Sequence, residues 1–89
     1  MSVAGRLRAR LEAGLAPLQL EVTDESAAHA GHAGARAGGE THFRIFVVSA
    51  AFAGLGRVAR QRLVYDLLAE ELAGPVHALS LTAKAPDEA

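Results

Sequence analysis

The side chains best suited to chemistry in this 89-residue chain are its four histidines, His29, His32, His42 and His77. There is no cysteine, so disulfides, a cysteine nucleophile and a thiolate metal site are all excluded. A neutral imidazole ligates iron, zinc or copper. His29 and His32 sit three apart as His-Ala-Gly-His, a spacing that serves a transition metal equally well as it serves a flexible linker with scattered histidines. His77 opens an alternating apolar segment, where a lone histidine is ordinarily a satisfied core residue. His42 precedes Phe43 and reads as a surface or edge side chain. Three arginines, Arg57, Arg60 and Arg62, crowd the start of a helical pattern beside Gly54 and Gly56, and arginines at a helix N-terminus reach phosphates. Asp66, Glu70 and Glu71 follow on the same helix and offset that charge locally. The simpler reading is a solvated face with intrahelical ion pairs such as Arg62/Asp66. The hydroxyl residues carry no nucleophile motif, and no catalytic constellation stands out.

The elements that must position these residues follow from periodicity. Val3, Leu7, Leu11 and Leu15 recur every four residues with arginines between them, an amphipathic helix closed at Pro17. Leu18, Leu20 and Val22 alternate with Gln19, Glu21 and Thr23, as in a half-buried strand. Residues 26–40 are Ala, Gly and His with one Arg and little to bury, which predicts a long mobile loop. Residues 41–49 form a strand that is apolar on both faces, hence central in its sheet. A turn with a short helical piece precedes the glycines. One helix then runs from Arg57 to the stop at Gly74 and Pro75. Residues 76–84 alternate as a last strand, and residues 85–89 read as a frayed tail. Together these predict a single α+β domain over 1–89, with a three-stranded sheet and helices on one face.

Composition is that of an ordinary globular chain, 51% apolar and 21% charged. A net charge of −1 gives no global argument for nucleic acid. No apolar run approaches a membrane span. The first residues alternate arginine with apolar residues where a signal peptide needs a continuous apolar stretch, so a cytoplasmic protein is the expectation.

Four segments carry a resemblance: LEVTDES, THFRIFVVS, FAGLGRVARQRLVYDLLAEEL and GPVHALSLTAKAP. The motif at Phe52, Gly54, Val58, Arg60, Arg62, Val64 and Tyr65, followed by Val-His-Ala-Leu at 76–79, resembles the BolA family from about Arg8 to Pro86. The resemblance implies the BolA version of the class II KH-like fold, α-β-β-α-α-β. It also implies a non-enzymatic module that pairs with a monothiol glutaredoxin and shares a 2Fe–2S cluster with it. The glutaredoxin supplies a cysteine and a bound glutathione. The BolA protein supplies a histidine at the start of its last strand, here His77, and often a second ligand from its long loop, here His32 or His29. The associated roles are iron–sulfur cluster trafficking, iron sensing and stress or transcription regulation. No membrane and no small-molecule substrate are implied. An imidazole can replace a thiolate on such a cluster, as in Rieske centres, and binding requires a deprotonated ring, so it weakens below about pH 6.5.

Two positions depart from the family pattern. Gln61 replaces the histidine usual between the paired arginines, and Gly56 replaces a common serine. Two other functions stay in view. One is a nucleic-acid-binding transcriptional regulator using Arg57, Arg60 and Arg62, although Gly-Leu-Gly is not the Gly-x-x-Gly loop with which KH domains clamp a nucleic-acid backbone. The other is a partner-free zinc site from His29, His32 and His77.

Overall fold

The computed structural model describes residues 2–25 and 41–89. Helix α1 spans Val3–Leu15. Ser2 caps it, its Oγ accepting the Gly5 N–H at 3.0 Å. Its stripe of Leu7, Leu11 and Leu15 is buried. Ala16 closes it in the left-handed region at φ 44°, and Pro17 prevents continuation.

Strands β1 (Gln19–Asp24), β2 (His42–Val48) and β3 (Ala78–Lys84) form one sheet in the order β1-β2-β3. β2 is central, as its two apolar faces require. It pairs antiparallel with β1, Val22 opposite Ile45, and parallel with β3, Ile45 beside Leu81. Phe43, Ile45 and Val47 of β2 turn to the helices and are buried with Phe52, Val64, Leu68 and Val76. Helices therefore cover one face of the sheet.

Ser49 links the layers. It is fully buried; its hydroxyl donates to the Leu15 carbonyl at 2.6 Å and accepts the Ala51 N–H at 3.1 Å. It thus ties the end of α1 to a 3₁₀ turn at Ala50–Phe52. Gly54, at φ +78°, then turns the chain into α2 (Arg57–Leu67).

The single helix expected from Arg57 to Gly74 is divided. α2 ends at Leu68, where ψ is 16° and the N–H is shared between the Asp66 and Val64 carbonyls, and α3 (Ala69–Ala73) follows. The tail also differs from expectation. Residues 85–89 are not frayed: Ala85 is buried, Pro86–Glu88 forms a 3₁₀ turn, and Glu88 folds back to accept the Ala85 N–H at 2.9 Å. No helix among the described residues is long and apolar enough to cross a membrane.

Candidate functional site

His77 lies where three chain segments meet at one end of the sheet. The Thr41 carbonyl accepts two N–H groups, from His77 at 2.8 Å and from Ala78 at 3.2 Å. On the far side of β2, the Glu25 N–H donates to the His42 carbonyl at 2.8 Å. The Thr41 hydroxyl is 2.9 Å from Nδ1 of His42, and Glu25 accepts from Nε of Arg44 at 3.1 Å. Glu25 and Thr41, the described residues that border the 26–40 segment, are thus both bonded at this end of the sheet, Glu25 to His42 and Thr41 to His77. His29 and His32, together with the loop expected over 26–40, lie outside the described residues.

The core-histidine reading of His77 is corrected. Val76 is buried, and its N–H donates to the Glu71 carbonyl at 3.0 Å. His77 is exposed. Its alternation with Leu79 does not carry it into the core, because the ladder begins only at Ala78. The fixed element is therefore its backbone, held at Thr41 immediately after a buried neighbour. A recess of about 200 Å³ opens alongside, lined by Glu25, His42, Phe43, Ala78, Leu79 and Ser80. Among the described residues no three of His, Cys, Asp or Glu gather to hold a metal. A closed structural metal site needs about four protein donors. What the described residues offer is an exposed imidazole at a rim, which fits a group completed by ligands from elsewhere.

Arg57 and Arg60 lie toward the opposite end of β3, which at about 3.3 Å per residue is about 20 Å away. A groove of about 580 Å³ there is lined by Arg57, Arg60, Gln61, Tyr65, Leu81 and Glu88, among others. Arg60 is turned inward, which removes it from the proposed nucleic-acid face. Its Nε donates to the Leu55 carbonyl at 2.8 Å and its Nη1 to the Ala83 carbonyl at 3.2 Å. Both Nη atoms reach the Glu88 carboxylate, at 2.5 and 2.8 Å, and the guanidinium stands 6.0 Å from the Phe52 ring centroid. The Arg60 hydrogen bond, reinforced by the Ala85 N–H, pulls the Glu88 carboxyl down to about 2; in return Glu88 raises Arg60. Arg57 and Arg62 are exposed, and the ion pair expected between Arg62 and Asp66 is not among those formed by the described residues.

One charged residue expected at the surface is buried. Glu71 is 2% exposed. Its carboxylate lies 2.7 Å from Nε of Arg10 and 3.9 Å from Nε of Arg6. The 2.7 Å approach is a close ion pair and not a directed hydrogen bond, since Oε1 has no aligned donor. Glu71 first, and Glu70 after it, raise the Arg10 guanidinium. Val64, Leu68 and Glu71 fall on one helical stripe, and Arg6 and Arg10 fall on one face of α1, but the spacing within either helix does not say that the two meet.

The family model for BolA-like protein matches residues 11–88. The chain belongs to the BolA family. The BolA-like protein 1 of Mus musculus is 51% identical over 84 residues, covering 94% of this chain and 58% of that relative. The SufE-like protein 1, chloroplastic/mitochondrial, of Arabidopsis thaliana is 52% identical over 87 residues, covering 93% of this chain and 24% of that relative. The chain thus spans a quarter to three fifths of the lengths of these two proteins. Among solved structures, the BolA domain of SufE1 from Arabidopsis thaliana superposes with a TM-score of 0.87 at 49% identity, covering 100% of this chain and 98% of that one. The solution structure of BolA1 from Mus musculus gives a TM-score of 0.81 at 48% identity, over 97% of this chain and 67% of that one. The α+β reading is accordingly that of the BolA fold, and its last strand starts one residue after His77.

Proposed function

We propose that this BolA protein is a non-enzymatic module that pairs with a monothiol glutaredoxin and contributes His77 to a 2Fe–2S cluster held between the two proteins. The observation that carries this reading is an exposed imidazole on a backbone pinned to Thr41, at the sheet end where both borders of the 26–40 segment converge. A fixed backbone carrying an exposed side chain suits a ligand that must meet a partner. The described residues lack the donors to close a metal site alone, and the glutaredoxin's cysteine and bound glutathione supply the thiolates. The cluster is shared cargo, for trafficking or for sensing iron and redox stress. His32 or His29 is the proposed second ligand from this chain. We place the module in the cytoplasm, although the Arabidopsis relatives are named for chloroplast and mitochondrion.

Visible absorption and circular dichroism test the proposal during titration of a cluster-loaded monothiol glutaredoxin with this protein. A changed spectrum saturating at about one-to-one, and altered in His77→Ala, is the expected result. An unchanged spectrum removes the shared-cluster mechanism. It would leave DNA binding through Arg57 and Arg62 as the reading to test, by its dependence on salt.

A further inference from the structure

The buried carboxylate of Glu71 has no role in the proposed cluster chemistry, yet it stands directly behind the segment that delivers His77. α3 is only five residues long, too short to hold its own position by helical hydrogen bonds. Besides Leu72, which packs against the core, ion pairs tie it to α1: Arg10 and Arg6 of α1 against the Glu71 carboxylate, with Arg10 also reaching Glu70 at 2.6 Å. The backbone carbonyl of the same Glu71 accepts two N–H groups, from Gly74 at 3.2 Å and from Val76 at 3.0 Å. The next N–H, that of His77, is held by Thr41. The stretch from Gly74 to His77 is therefore hung between two carbonyls. One belongs to Thr41, the residue just before β2. The other belongs to a residue whose placement depends on a buried ion pair.

We infer that Glu71 is a positioning residue for His77: its side chain clamps α3 to α1 so that its carbonyl fixes Val76 and presents His77 at the end of the sheet. This deepens the shared-cluster reading and rests on it for the functional consequence, while the geometry itself is read on the isolated protein. A charge buried for stability alone is a poor device, because an apolar side chain of equal volume does as well or better. A charge buried to hold one arrangement among several makes a different demand. Its loss should loosen the segment it holds more than the domain as a whole.

Amide hydrogen exchange by NMR on the full chain separates these cases. In Glu71→Gln, the Val76 and His77 amides are expected to exchange about tenfold faster, with a much smaller change at Ile45 in the central strand. Arg10→Gln, which leaves the buried residue in place, should show the same pattern and serves if Glu71→Gln does not fold. Wild-type rates at Val76 and His77, or acceleration only in step with Ile45, overturn the inference. In the glutaredoxin titration, folded Glu71→Gln should give a weakened or shifted circular dichroism band, and a wild-type band would equally overturn it. Failure of the parent reading looks different. The wild-type protein then gives no His77-dependent band, and the exchange rates alone decide whether Glu71 positions His77.

Discussion

Replacing Ser49 by alanine tests the layer connection most directly. Ser49 is fully buried, and its hydroxyl serves two backbone groups at once: the Leu15 carbonyl at the end of α1 and the Ala51 N–H at the start of the 3₁₀ turn. Leu15 is the last residue of its helix, so its carbonyl has no intrahelical donor. Stranding that buried acceptor costs about 1–3 kcal/mol. Losing the cap costs about 0.5–2 kcal/mol, at the low end because the turn is a single one. The desolvation of the hydroxyl itself is recovered, which leaves a net loss of about 2 kcal/mol. A chain of this length has a total stability of roughly 5–13 kcal/mol, so the loss is a substantial share. With a urea slope of about 1 kcal/mol per molar, the midpoint should fall by about 2 M. Ser80→Ala, at an exposed strand position, is the control and should stay within about 0.5 kcal/mol. A Ser49→Ala midpoint lowered by less than about 0.5 M would refute the reasoning.

His77→Ala is expected to leave the urea midpoint within about 0.5 M of wild type, because the substitution keeps the backbone N–H that donates to the Thr41 carbonyl; a larger drop would make His77 a structural residue. Glu88→Gln should show a pH-dependent difference from wild type. The folded Glu88 pKa is depressed to about 2, so its contribution is present above the ordinary carboxyl range and is lost as pH falls from about 4.5 to about 2. Urea midpoints of the two proteins should therefore converge over that window, and a gap that persists to pH 2 contradicts the Arg60 clip. Gly54→Ala meets no atom within 4 Å but must hold φ +78°, so its cost is conformational, about 1 kcal/mol, or a melting temperature lower by about 4–8 °C. An unchanged melting temperature would show that the turn relaxes.

The apolar spacings within one element were fully legible. The four-residue repeat of α1, the two-faced pattern of β2 and the alternation of β3 each report a burial that the element's own residues determine. What periodicity did not report is where charges go, because that depends on partners far along the chain. Arg10 meets Glu71 across the helix pair, and Arg60 meets Glu88 across the turn after β3. Each looked like a solvated surface charge when read within its own helix. The frayed tail failed for the same reason, since Glu88 is held by a residue 28 positions earlier. Alternation put His77 on an apolar face, whereas it is exposed, because the ladder begins only at Ala78. The break at Leu68 left no mark in the spacing, as Val64, Leu68 and Leu72 follow one stripe on either side of it.

The convergence at Thr41 has a consequence for biosynthesis. Its carbonyl receives its two donors from residues 77 and 78, which leave the ribosome after the whole β1–β2 pair and both later helices. The β1–β2 pair alone leaves the site incomplete, because β3 supplies the other edge of β2. The proposed ligand takes its place only when β3 docks, so any partner that requires His77 in position selects against unfinished chains without a separate checkpoint.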